Sequence, residues 1–157
     1  SIIQAHNLCY STLIPGDKLH LHPHLSVNDY ETFHLKSGPV HFVKAHKCFS
    51  LLSKLLSVWL SKRKGIKGEL LRCSDPTLAT ILDKQQLAIK VTCNAVYGFT
   101  GVATGMMPCL KIAETVTLQG RTMLEKSKAY IEAISPPILN DITGYKVPHI
   151  EPAYFRV

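Results

Sequence analysis

Residues Asp83–Gly98 read D-K-Q-Q-L-A-I-K-V-T-C-N-A-V-Y-G, and the reading of this stretch decides the rest. Laid on a helix at about 100° per residue, Asp83, Gln86, Lys90, Asn94 and Tyr97 fall within a stripe roughly 80° wide. From Leu87 onward the residues off that stripe are Leu87, Ala88, Ile89, Val91, Thr92, Cys93, Ala95 and Val96. An ordinary surface helix carries one apolar stripe on a polar cylinder, and here the proportions are reversed. A helix apolar most of the way round is expected to be buried, with Cys93 as a buried thiol. A lysine and an asparagine on it must then face a partner or a cleft. The plain alternative is a core helix whose Lys90 lays its stem along apolar surface and carries its ammonium to water.

The preceding segment, Ser50 to Leu71, also has a helical period. Ser50 is a candidate N-cap, and Leu52, Leu56 and Trp59 step along one face at spacings of four and three. Arg63 and Lys67 continue that row, with Leu70 beyond. Basic residues near a helix C-terminus are stabilised by the helix dipole by about 0.3–1 kcal/mol each, which is the plain account of the pair. Gly65 and Gly68 each cost the helix about 1 kcal/mol relative to alanine, and no function follows from them. At Cys73-Ser74-Asp75-Pro76 one helix ends and the next begins, Asp75 capping and Pro76 taking the first helical position. Two long helices joined so tightly run antiparallel. At about 1.5 Å per residue, Arg63 and Lys90 then lie within roughly a turn of the same level, so one cationic site is permitted.

The pattern K-x-x-x-N-A-x-Y-G, from Lys90 through Asn94 to Tyr97-Gly98, resembles motif B of the family B DNA polymerases, whose usual form is K-x-x-x-N-S-x-Y-G. Ser1-Ile2-Ile3 matches the last positions of motif A, D-x-x-S-L-Y-P-S-I-I, and Arg63 and Lys67 match the family's R-x-x-x-K. The resemblance spans essentially the whole chain. It is most specific over residues 1–13 and 80–125, weaker over 14–45 and 135–155, and closest in wording to the gammaherpesvirus branch. Ala95, where most of the family has serine, is a departure shared with that branch.

The resemblance implies an α+β, mostly helical chain. It would comprise an antiparallel two-helix fingers hairpin (49–101) inserted in an incomplete palm subdomain (1–48 and 102–157). It implies template-directed transfer of a deoxynucleotide from a dNTP to a primer on primer-template DNA, in a longer protein that also meets a viral processivity factor in the host nucleus. It assigns Arg63, Lys67, Lys90 and Asn94 to the triphosphate of the dNTP, and Tyr97 and Gly98 to the nascent base pair from the minor-groove side. The two Mg2+ ions would be held by aspartates of motifs A and C outside this chain, so neither a metal site nor catalytic activity is expected within it. Both ends look cut through structured elements, and we expect an internal piece of a longer protein. The rival reading is a non-catalytic basic helical module that binds nucleic acid without a nucleotide site.

Composition agrees with either reading. The 157 residues are 46% hydrophobic and 18% charged, which describes a folded chain. The formal charge of +7 favours an anionic partner. The five cysteines are scattered without a C-x-x-C pair, so neither a zinc site nor a redox pair is indicated, and a reducing compartment fits them. No stretch approaches the ~20 apolar residues of a membrane span, and no membrane partner is expected. Residues 16–45 predict loops and short strands, with Leu19-His20-Leu21-His22 alternating as a strand would and Ser37-Gly38-Pro39 as a hairpin turn. His20, His22 and His24 could share a strand face and bind a metal, but Pro23 interrupts them and no carboxylate or cysteine completes a set. We read them as exposed loop histidines. Gly98-Phe99-Thr100-Gly101 is expected to break the second helix. A third helix is expected over Lys111–Ile134, stopped by Pro136-Pro137, with a loop from Asn140 to Pro152 and a strand at Tyr154–Val157.

Overall fold

The computed structural model of the chain describes residues 1–102, 104, 105 and 107–157. They divide into two compact units, Ser1–Val116 and Thr117–Val157. The described residues make a mixed, mostly helical chain with one small three-stranded antiparallel sheet.

The first unit opens with α1 (Ile2–Ala5), capped by Ser1 with Gln4 reaching back in a capping box. Strands β1 (Leu13–Pro15), β2 (Tyr30–Leu35) and β3 (Gly38–Val43) follow, in the order β1-β3-β2. The expected hairpin is present: Leu35 pairs with Gly38, so Lys36 and Ser37 form a two-residue loop. Gly38 takes φ of 105°, a conformation that side chains disfavour. Gly16 has a different constraint, since a Cβ there would lie 2.6 Å from the Pro39 carbonyl oxygen. Leu19–Leu21 belong to a 3-10 helix over Gly16–Leu21, not to the alternating strand their pattern suggests. β1 already occupies the β3 edge, and the chain turns away immediately after Pro15.

The core of this unit gathers Ile3, Leu8, Ile14, Phe33, Val40 and Phe42, with the Phe33 and Phe42 rings edge to face at 5.9 Å. Asn7, buried and at φ of 52°, ties its parts together. Its Nδ2 donates to the carbonyls of Val43 (2.8 Å) and Cys48 (2.7 Å), and its Oδ1 accepts from the Ser50 N–H (3.0 Å). Asp29, also buried, accepts from His46 at 2.9 Å and from the Ser26 N–H and hydroxyl. Those hydrogen bonds, His46 first, hold its carboxyl well below the usual carboxylate range.

Two long helices complete most of this unit. α2 (Leu51–Arg72) starts at Ser50, whose Oγ accepts from the Ser53 N–H at 3.1 Å. α3 (Pro76–Gly101) starts at Asp75, whose carboxylate accepts from Thr77 N–H at 2.8 Å, with Pro76 in the first position. Both caps are those the sequence indicates. α3 does not break at Gly98 but runs to Gly101. One glycine costs a helix only about 1 kcal/mol. Burial of Val96 and Thr100, with the Thr100 hydroxyl on the Tyr97 carbonyl at 2.7 Å, outweighs it.

α4 (Leu110–Glu132) begins in the first unit, where Ile112, Ala113 and Thr115 are buried. In the second unit α4 ends at Glu132, and Pro136 does not merely stop a helix. It opens α5 (Pro136–Thr143), because proline without an N–H suits a first helical position. Asn140 therefore lies in α5, and its side chain accepts from the Val147 N–H at 2.7 Å. Tyr154–Val157 are irregular rather than a strand, and no described strand pairs with them. Tyr154 and Phe155 instead line a small apolar cleft with Ile134, Leu139 and Val147.

Candidate functional site

α2 and α3 are joined by Cys73, Ser74 and Asp75 and pack against each other. The buried and half-buried positions of α2 are chiefly Leu52, Leu56, Trp59, Arg63, Ile66 and Leu70, and those of α3 are Ala79, Leu82, Gln86, Ile89, Cys93, Val96 and Thr100. Both series alternate spacings of three and four, the period of a coiled-coil seam. Across it Arg63 Nε–H donates to Gln86 Oε1 at 3.1 Å, and Gln86 Nε2 donates to Asp83 Oδ1 at 3.0 Å. One hydrogen-bonded layer of Arg63 and Gln86 therefore interrupts a seam that is apolar elsewhere except at Thr100.

This placement revises the reading of α3. The helix is not buried most of the way round, because it packs through one stripe only. Leu87 and Val91, on its flanks, are 41% and 60% exposed. Cys93 is half-buried, not a buried thiol. Gln86 leaves the polar row and enters the seam, while Lys90, Asn94, Tyr97 and Gly98 lie on exposed surface. Lys90 is thus not a core lysine reaching for water. At Gly98 an added Cβ would meet nothing within 4 Å.

The cations are spread along the hairpin rather than clustered. With Arg63 level with Gln86, Lys90 stands four residues farther along α3, about 6 Å by helical rise. Lys67 stands four residues the other way on α2, so its level is about 12 Å from that of Lys90. Lys67 is exposed and Arg63 half-buried. Among the described residues, none of Arg63, Lys67 and Lys90 has an acidic partner within 4.0 Å. α2 carries Lys54, Lys62, Arg63, Lys64, Lys67 and Arg72 against the single acid Glu69, so the pair of helices presents uncompensated positive charge. Such a face attracts phosphate-bearing ligands.

Among the described residues, no three of the types His, Cys, Asp and Glu come together to hold a metal ion. His20 lies in the 3-10 helix, His22 ends it, and the His22 and His24 rings meet edge to face at 5.8 Å. No helix among the described residues is long and apolar enough to cross a membrane.

The model of DNA polymerase family B matches residues 1–157, and the chain belongs to that family. The relatives it resembles are herpesviral. It is 71% identical over 157 residues to the DNA polymerase catalytic subunit of Human herpesvirus 8 type P (isolate GK18), covering all of this chain and 16% of that protein. It is 69% identical over the same length to the equivalent subunit of Equine herpesvirus 2 (strain 86/87), again 16% of that protein. To that of Epstein-Barr virus (strain B95-8) it is 65% identical over 137 residues, 87% of this chain and 14% of the relative. The chain thus spans about a sixth of the length of these relatives. In fold it is similar to the family B DNA polymerase from the archaeon Pyrobaculum calidifontis, with a TM-score of 0.64 at 24% identity over 82% of this chain and 16% of that one. A family match along the whole chain removes the premise of the rival reading, that the motif arose by coincidence.

Proposed function

We propose that this chain is the part of a herpesviral DNA polymerase that grips the incoming dNTP during template-directed extension of a primer. In this reading α2 and α3 are the fingers, residues 1–48 and 102–157 belong to the palm, and the whole protein works in the host nucleus with a processivity factor. The observation that carries the reading is the exposed row of Lys90 and Asn94 on α3, beside a helix whose Arg63 and Lys67 have no acidic partner among the described residues. That row coincides with the K-x-x-x-N-A-x-Y-G pattern of a family member.

The chemistry asked of these residues is electrostatic. As the primer 3′-hydroxyl attacks the α-phosphate, negative charge builds on the departing pyrophosphate. Ammonium and guanidinium groups already in place stabilise it without reorganising solvent. Asn94 donates an amide N–H to a phosphate oxygen. Tyr97 and Gly98 lie against the minor-groove edge of the new base pair, where the pattern of acceptors is nearly independent of sequence.

The test is Lys90→Ala in the full-length polymerase, followed by single-turnover incorporation. Loss of one donor to the transition state is expected to slow the maximal rate by about two orders of magnitude. An unchanged rate would remove Lys90 from the site.

A further inference from the structure

Gln86 is the one amide in the α2–α3 seam, and its surroundings determine which way it faces. A glutamine side chain can be turned either way at equal steric cost, so its partners decide. The Asp83 carboxylate accepts only, and it takes the Nε2 end at 3.0 Å. The carbonyl end is left for Arg63, whose Nε–H reaches it at 3.1 Å. An arginine has five N–H groups in a rigid fork and rotamer freedom to lose on being fixed. Holding it by Nε fixes the plane of the fork and spends one donor. Among the described residues the two Nη groups have no hydrogen-bond or ion-pair partner. Asp83 is also not within 4.0 Å of the guanidinium, so the acceptor that holds Arg63 is neutral and leaves its charge intact.

We propose that Gln86, oriented by Asp83, is a positioning residue that sets the plane of the Arg63 guanidinium and leaves its Nη pair for two oxygens of the nucleotide's phosphates. This rests on the assignment of Arg63 to the triphosphate. A neutral acceptor suits the task better than a carboxylate, which would fix the fork equally well but cancel the charge the phosphate needs.

The experiment measures single-turnover incorporation against dNTP concentration in the full-length polymerase, giving an apparent Kd and a maximal rate for each variant. Arg63→Ala is expected to raise the Kd by about tenfold or more, the worth of one charge-assisted hydrogen bond. Gln86→Leu, which suits a seam position, is expected to raise it by roughly three- to tenfold with the maximal rate less affected. Gln86→Glu keeps an acceptor for Nε but is expected to weaken binding more than Gln86→Leu does. A merely structural glutamine would give the opposite order. Added to Arg63→Ala, Gln86→Leu is expected to change nothing further. Weakened binding in Arg63→Ala with wild-type affinity in both Gln86 variants, or additive effects in the double variant, overturns the positioning role alone. Unchanged affinity in Arg63→Ala overturns it together with the triphosphate assignment.

Discussion

Asn7 and Lys90 show how differently single residues announce themselves. Lys90 is legible in the sequence because it opens the K-x-x-x-N-A-x-Y-G pattern, not because its helix is buried, since the side chain lies on exposed surface. Asn7, in the run A-H-N-L-C, reads as any loop residue would. Yet its one side chain satisfies the Val43 and Cys48 carbonyls and the Ser50 N–H, and so joins the end of α1 to β3 and to the cap of α2. Those partners lie some forty residues away in sequence, where no local pattern can reveal them. Asn7→Leu keeps the side-chain size and removes all three hydrogen bonds, those to Val43 and Ser50 buried and that to Cys48 partly so. At about 1 kcal/mol for each lost hydrogen bond, a destabilisation of about 3 kcal/mol is expected in chemical denaturation of the chain. A variant with the wild-type midpoint would show that water or a local shift replaces those bonds.

Among the elements, the junction between α2 and α3 and the caps that start both helices are legible in the sequence, whereas the end of α3 is not. Ser50 and Asp75-Pro76 cap through bonds to their own next few residues, so the chemistry is written locally. Where α3 stops depends on the burial of Val96 and Thr100, a tertiary effect that overrides Gly98. The seam was half legible. Leu52, Leu56 and Trp59 mark it on α2, but on α3 Gln86 belongs by polarity to the row of Lys90 and by the alternation of three and four from Ala79 to Thr100 to the seam. Gly65 and Gly68 remain without a packing reason, since a Cβ at either would meet nothing within 4 Å. Gly65→Ala is therefore expected to stabilise α2 by about 1 kcal/mol, seen as slower amide hydrogen exchange along the helix. Unchanged or faster exchange would mean that this face needs bare backbone.

At the scale of the whole molecule the family was legible over the full length, because motif B carries several specific residues at fixed spacing. The match of residues 1–157 bears this out. The α+β, mostly helical class was legible too, whereas α5 and the irregular Tyr154–Val157 were not. There proline served as a helix starter, and a strand-like run found no edge. The net charge of +7 takes on a definite meaning only in combination with the elements: much of it lies on one helix, α2, beside the exposed row of α3. We propose that these two helices together form one wall of a triphosphate site. The most direct test is a structure of the full-length polymerase with primer-template DNA and a non-hydrolysable dNTP. Lys90 Nζ, the Asn94 amide and an Arg63 Nη are each expected within about 3.2 Å of a phosphate oxygen. A triphosphate bound elsewhere, with Lys90 and Arg63 both left in solvent, would show that α2 and α3 do not hold the nucleotide.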